Sequence, residues 1–349
     1  MAKYKLIPNA VERITGLMAR LHLRPLNPKH TVAQAISDHA RFYMGPALKE
    51  NGQIVWFKTS LQDMVWLRRG LREEMRVQKA FADYERTHHP HFDSPSWLAG
   101  GDDHRGGLWL MRKYWQDTYA GDMDTTFGLT NAFLRRVSAK AMAKVLADVR
   151  AMSGFMSKRL TLDHHRLDWY LLDFHYYRRH FFPQWLKHKL NPGWNKADVS
   201  GLEKVLRDHK LFFNRQAKTF THGDMYPNNI MVRGGRRPVV LFDWELSHLN
   251  LPTFDVVMMY LQAWRQPRWQ KAFSDETIRL LGGAEMAKTA WRLSMISLAT
   301  RLTAFCFLRL TNGQPDRYPP LPRQYRSVMM TMYKRNLAHL QAANDNTLL

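Results

Sequence analysis

Between Thr221 and Glu245, a chain whose second half is otherwise patterned for helices breaks into two short apolar runs. These are Ile230-Met231-Val232 and Pro238-Val239-Val240-Leu241-Phe242, joined by Arg233-Gly234-Gly235-Arg236-Arg237. Apolar runs of this length on either side of a glycine turn predict a β-hairpin. Antiparallel strands return on themselves, so the outer ends near Asn229 and Asp243 are expected to close on one another. The polar residues gather at those ends: His222-Gly223-Asp224 and Asn229 before the hairpin, Asp243-Trp244-Glu245 after it. Asp224, Asn229 and Asp243 offer oxygens only. That is a donor set for a hard cation such as Mg²⁺, which takes few protein oxygens and completes its shell with phosphate and water.

An aspartate, an asparagine five residues later, and a strand ending in another aspartate follow the order of the phosphoryl-transfer template of protein kinases. There the first residue orients and deprotonates the acceptor hydroxyl and the other two hold metal. With His222-Gly223-Asp224 through Asn229, then Phe242-Asp243-Trp244-Glu245 and Pro252-x-x-Asp255, the sequence resembles the aminoglycoside phosphotransferase and choline kinase-like superfamily. The resemblance implies an α+β, bilobal, protein-kinase-like fold. Its small mixed α/β N-terminal lobe, with an N-terminal helix, would span residues 1–115, and a larger, mainly helical lobe carrying the catalytic β-hairpin would span 116–349. It implies ATP and Mg²⁺ as cofactors and a small-molecule hydroxyl as acceptor. Asp224 would be the catalytic residue, Asn229 and Asp243 the metal ligands, and His222 and Asp255 supports of the catalytic loop.

On the same resemblance Lys58 would bind the α- and β-phosphates, paired with Glu74 rather than Glu73, and adenine would hang on the backbone of Met111-Arg112-Lys113, with Met111 and Lys113 as contacts. Lys58 also reads as a lysine guarding a strand edge. Glu245 reads equally as a metal or substrate contact or as an exposed carboxylate. Two departures stand out. Arg112-Lys113 occupies a hinge that is often acidic in the family, and the phosphate-covering loop Ser37-Asp38-His39-Ala40 lacks glycines. They leave a nucleotide-binding scaffold without turnover as the alternative.

The first lobe is predicted from pattern. Asn9-Ala10-Val11-Glu12 resembles an N-cap opening an amphipathic helix to about Leu23. Thr31 to Ile36, Arg41 to Leu48 and Gln53 to Lys58 read as strands, the last two joined by a turn at Lys49-Glu50-Asn51-Gly52. Met64, Leu67, Leu71, Met75, Val77 and Phe81 recur at helical spacing from about Leu61 to Arg86. Ser96 to Ala99 and Gly107 to Tyr114 read as two further strands, separated by a turn at Gly100-Gly101-Asp102-Asp103.

The formal charge of +22 is spread at similar density over residues 1–115 and 116–349, so no basic tail is present. With 45% hydrophobic residues the chain has ample material for a core. A diffuse field of this sign attracts phosphates, nucleic acid or anionic lipid, and equally reads as an ordinary solvated surface. No nucleic-acid reading module accompanies it, so nucleic acid is not expected as a partner. Peripheral contact with an anionic membrane surface stays open. Within the resembled family the charge argues against polycationic aminoglycosides and for a neutral or anionic acceptor, sugar-like or lipid-linked.

The single cysteine, Cys306, excludes an internal disulfide, and no apolar run follows the basic N-terminus as in a signal peptide, so a cytoplasmic location is expected. Trp291 to Leu310 is apolar but interrupted by Arg292, Arg301 and Arg309, which predicts a buried or half-buried helix. His88, His89, His91, His164 and His165 lack the spacing of a zinc site. The aromatic segment Trp169 to Trp185 reads as a buried helix or, with Arg178 and Arg179, as a wall of the acceptor pocket.

Overall fold

The structure, a computed structural model, describes residues 6–29, 31–37, 40–62, 64–102, 107–116, 118–122, 126–160, 167–234, 237–282, 284–312 and 321–347. The expectations for Asp38, His39, Asp103, Gly235, Arg236, His164 and His165, and for the side chains of Trp169 and Tyr170, lie outside them. The chain divides into two compact units. One comprises Met1–Thr118 with Val240–Ser247; the other comprises Tyr119–Val239 with His248–Leu349. Eight residues from the hairpin region, Val240–Ser247, thus belong to the first unit.

The first unit is built on a five-stranded sheet. Its elements are α1 (Ala10–Arg20), β1 (Leu23–Pro25), α2 (Val32–Ser37), β2 (Phe42–Lys49), β3 (Ile54–Ser60), α3 (Val65–His88), β4 (Phe92–Asp93), β5 (Trp97–Asp102) and β6 (Leu108–Lys113). The sheet order is β1-β2-β3-β6-β5, and every neighbouring pair is antiparallel. The turn expected at residues 49–52 closes β2 onto β3 with Gly52 at φ 81°. The strand period of two then sorts the residues. Val55, Phe57 and Met111 pack with Ile14, Leu17 and Met18 of α1. Leu108 and Leu110 pack with Leu67 and Leu71 of α3, and Lys58, opposite Leu110, lies on that face.

Three expectations are corrected here. Thr31–Ile36 is not a strand: Val32–Ser37 is helical, with the Thr31 hydroxyl accepting the Gln34 N–H at 3.1 Å and Val32 and Ala35 buried at a spacing of three. A short apolar run fits both periods, and here the capping hydroxyl favours the helix. Leu23–Pro25, expected at the end of α1, is itself the edge strand, so β3 remains third. Gly100 and Gly101 lie within β5 rather than in a turn. A Cβ on Gly100 would stand 2.5 Å from Met75 Sδ, so this glycine serves a close approach of α3.

The second unit is mainly helical. The Phe254–Gln262, Pro267–Leu281, Ala284–Thr311 and Arg326–Asn344 helices, with Ala139–Ala151 and Lys196–Asp208, supply most of it. The Glu285–Thr311 stretch is long and apolar enough to cross a membrane, but 83% of its apolar window is buried inside the protein, and the Arg292 guanidinium donates to the Ala343 and Asn344 carbonyls. It is a core helix, as its interrupting arginines predict. In the aromatic segment Phe174, Phe181, Phe182 and Trp185 are buried, with Phe181 and Trp185 stacked at 5.5 Å. Tyr176, Arg178 and Arg179 are exposed, so the segment is core along one side.

Candidate active site

The sheet unit carries a buried charge cluster. Lys58, 3% exposed in the middle of a sheet, donates from Nζ to Glu74 at 2.9 Å, to Asp243 at 2.6 Å and to Glu245 at 3.2 Å. It is therefore not an edge lysine. Its ammonium also lies 4.5 Å from the centre of the Phe42 ring. Burial would lower the Lys58 pKa, but the charges of Asp243, Glu74 and Glu245 outweigh it and hold the ammonium well above its ordinary value. Glu74 is fully buried, which pushes its carboxyl up against the pull of Lys58 and Arg112. Burial pushes Glu245 up to about 7, Lys58 opposing and Asp243 and Glu74 adding to the rise.

Local backbone explains how two acids two positions apart reach one amine. Asp243 sits at φ 67°, ψ 57°, a left-handed conformation uncommon outside glycine, and a single 3₁₀ turn over Trp244–Leu246 follows. Trp244 is fully buried and donates from Nε1 to Ser94 Oγ at 3.0 Å, which anchors the turn. Glu245 comes against α3 at Gly70, where a Cβ would lie 3.3 Å from Glu245 Cβ. An interior helical glycine costs about 1 kcal/mol relative to alanine, and this approach is its reason.

Arg112 belongs to the same cluster. It is 5% exposed, its Nη1 is 3.4 Å from Glu74 Oε1, and its guanidinium lies over the Phe242 and Trp56 rings at 5.0 and 5.6 Å. Met111, Arg112 and Lys113 lie within β6 and pair with Phe57, Trp56 and Val55. The Lys113 N–H already donates to Ser96 O at 2.9 Å. The backbone groups of this segment thus take part in regular sheet pairing, as a strand from Gly107 to Tyr114 predicts.

The helical unit holds the other half of the expected site in one loop. Thr219–Thr221 pairs with His248–Asn250 and delivers the chain to His222. Asp255, buried near the start of a helix, accepts the N–H groups of His222 at 2.6 Å and of Gly223 at 3.0 Å. Burial nonetheless pushes its carboxyl up to about 7, against those two N–H groups and with the charge of Asp224 adding to the rise. Gly223 has φ 81°, which a side chain would resist. His222 is fully buried and accepts the Asp224 N–H on Nδ1 at 3.3 Å. His222 and Asp255 are thus built into the loop as supports.

After a 3₁₀ turn at Pro227–Asn229, the Asn229 Nδ2 donates to Asp224 O at 2.9 Å and to Asp224 Oδ2 at 2.7 Å. Asn229 is 3% exposed, and with its nitrogen committed its Oδ1 is the atom a cation would use. The strands Ile230–Val232 and Val239–Leu241 follow at the expected hairpin.

A divalent cation fits this chemistry. Among the described residues, Glu74, Asp243 and Glu245 present carboxylate oxygens within 4.8 Å of one another. The motif reading missed Arg112 as a member of the cluster and left Glu245 undecided. The signal for Arg112 was its place in the alternation Leu108, Leu110, Arg112. A charge on an inward-facing strand position requires a buried partner.

The fold is that of known phosphotransferases. The structure of aminoglycoside 2'-phosphotransferase-IIIa in its GDP complex superimposes with a TM-score of 0.57 at 12% identity, over 97% of this chain and 99% of that one. Macrolide 2'-phosphotransferase type I gives 0.51 at 13% identity, over 94% and 98%. An aminoglycoside phosphotransferase from Alicyclobacillus acidocaldarius gives 0.50 at 12%, over 87% and 89%. No curated protein sequence matches the chain. A model of the phosphotransferase enzyme family matches residues 60–291, more than half of the chain and the whole run from the end of β3 through Asp255. This protein therefore belongs to the phosphotransferase enzyme family, with the kinase-like α+β fold of that family.

Proposed function

We propose that the protein transfers the γ-phosphoryl group of ATP or GTP to a hydroxyl of a neutral or anionic small molecule. The observation that carries this reading is the Lys58 ammonium held on Glu74 and Asp243. A lysine placed for phosphate is thus braced by one acid and shares another that is suited to metal. In this reading Lys58 grips the nucleotide phosphates, and Asn229 and Asp243 are the ligands of Mg²⁺, with Glu245 beside Asp243. The metal, when bound, supplies charge neutralisation at the phosphates. Asp224 orients the acceptor hydroxyl and takes its proton on the carboxylate. Its own orientation is supported by Asn229, and the loop backbone by Asp255. The GDP complex of the aminoglycoside relative supports GTP alongside ATP as donor.

The acceptor class follows from charge. A chain with a formal charge of +22 disfavours a polycationic acceptor and favours a neutral or anionic one. The test is a screen of hydroxyl compounds with γ-labelled ATP and GTP, using the wild-type protein beside Asp224→Ala. Label transfer by the wild type that is lost in Asp224→Ala, with nucleotide binding retained, is the expected result. Nucleotide binding without transfer to any acceptor class would overturn the reading in favour of a scaffold.

A further inference from the structure

Glu74 has more partners than bracing Lys58 requires. Its Oε2 accepts from Lys58 at 2.9 Å, while its Oε1 lies 3.2 Å from Gln78 Nε2 and 3.4 Å from Arg112 Nη1. Glu74 has no exposed surface, and Lys58 is equally committed to Asp243 and Glu245. One ammonium therefore faces three carboxylates, and a buried carboxylate without its own cation is unstable. Arg112 is the second cation. The antiparallel register sets it directly opposite Trp56 and on the α3 face of β6, and its guanidinium lies over Trp56 and Phe242, with Asp243 the next residue. A guanidinium is always charged and lies flat on aromatic rings, so this site suits arginine better than lysine.

We propose that Arg112 is a positioning residue for nucleotide binding: it holds Glu74 in place independently of Lys58, so that Lys58 can turn its charge to the phosphates without losing its brace. The proposal rests on the reading of Lys58 as the phosphate-gripping residue. When phosphate oxygens compete for the ammonium, the Lys58 contact to Glu74 weakens, and the Arg112 and Gln78 contacts keep the carboxylate from rotating away. Arg112 acts through Glu74 and not on the nucleotide itself.

The test is isothermal titration with a non-hydrolysable ATP or GTP analogue and Mg²⁺, on wild type, Arg112→Met, Arg112→Lys, Glu74→Gln, Arg112→Met/Glu74→Gln and Lys58→Met. Methionine fills similar space between the two rings without charge. Arg112→Met should weaken nucleotide binding about tenfold, Arg112→Lys should recover part of that loss, and Arg112→Met should cost nothing further in the Glu74→Gln background. Two results overturn the proposal. One is wild-type affinity in Arg112→Met; the other is an undiminished loss in the Glu74→Gln background, since long-range attraction between Arg112 and phosphate would survive there. If Arg112→Met does not fold, Arg112→Gln carries the same comparison. Lys58→Met separates the two levels. Wild-type affinity there would sink the reading of Lys58 and this proposal together, whereas a loss in Lys58→Met with none in Arg112→Met would sink this proposal alone.

Discussion

In the sheet unit Lys58, Glu74, Asp243, Glu245 and Arg112 are held by one another's charge, whereas in the helical unit the Asp224 N–H donates to the His222 ring and the Asp224 carboxylate accepts from one asparagine. The first arrangement depends on balance: remove one ion and the others are left buried and uncompensated. The second depends on geometry, because the Asp255 carboxyl accepts two successive N–H groups and Asn229 spans the carbonyl and carboxylate of Asp224. The cluster is thus built from side chains that can exchange partners, and the Asp224 loop from backbone contacts that cannot easily move.

The contrast can be broken at either end. Asp224→Asn should lower turnover by about 10²–10⁴-fold, the usual worth of a positioned proton acceptor, while leaving the loop folded and nucleotide affinity unchanged. Steady-state kinetics beside nucleotide titration checks this, and a parallel fall in affinity would mean that the loop and the cluster are not separable. Lys58→Met should have the opposite profile, because it leaves three carboxylates facing one another. A loss of about 3–5 kcal/mol, read by urea denaturation, is expected on top of lost nucleotide binding.

Next in size is the pH response of the helical unit. The Asp255 carboxyl, pushed up by burial to about 7, binds its proton more tightly folded than unfolded. Stability is therefore greatest at the acid end and declines as pH rises from the ordinary carboxylate range to about 7, with a slope of at most about 1.4 kcal/mol per pH unit. Asp255→Asn should flatten this part of the profile, measured as thermal midpoints from about pH 5 to about pH 8. An unchanged slope would place the proton elsewhere. The smallest effect is expected at Ser94→Ala, which leaves the buried Trp244 Nε1 without its acceptor and should cost about 1 kcal/mol in the same denaturation experiment.

The two regions were also unequally legible in the sequence. The Asp224 loop could be read because its determinants are local: His222, Gly223, Asp224, Asn229 and Asp255 lie within one short stretch, and the turn and strand that follow have their own signals. The charge cluster joins residues 185 and 187 positions apart, Lys58 with Asp243 and Glu245, and no periodicity reports such a pairing. Lys58 and Glu74 were found by resemblance alone. Arg112 was read as an anomaly of the hinge although Gly107 to Tyr114 reads as a strand, and regular pairing through Lys113 turns the same residue inward. The helix at Val32–Ser37 was missed for a different reason: six residues with two buried positions do not distinguish a period of two from one of three to four.

The return of Val240–Ser247 to the sheet unit has a consequence for synthesis on the ribosome. A chain that folds as it emerges completes its N-terminal parts first, yet here the first 118 residues lack Asp243, Trp244 and Glu245. Until more than a hundred further residues have been added, Lys58 has only Glu74 among its three acids, and Ser94 lacks the indole it receives at the end. Asp243 and Glu245 therefore join Lys58 only after residues 222–229 have been made, and a nascent chain released before residue 243 would lack both those acids and the later His248–Asn250 and Asp255, which hold Thr219–Thr221 and the His222 and Gly223 N–H groups.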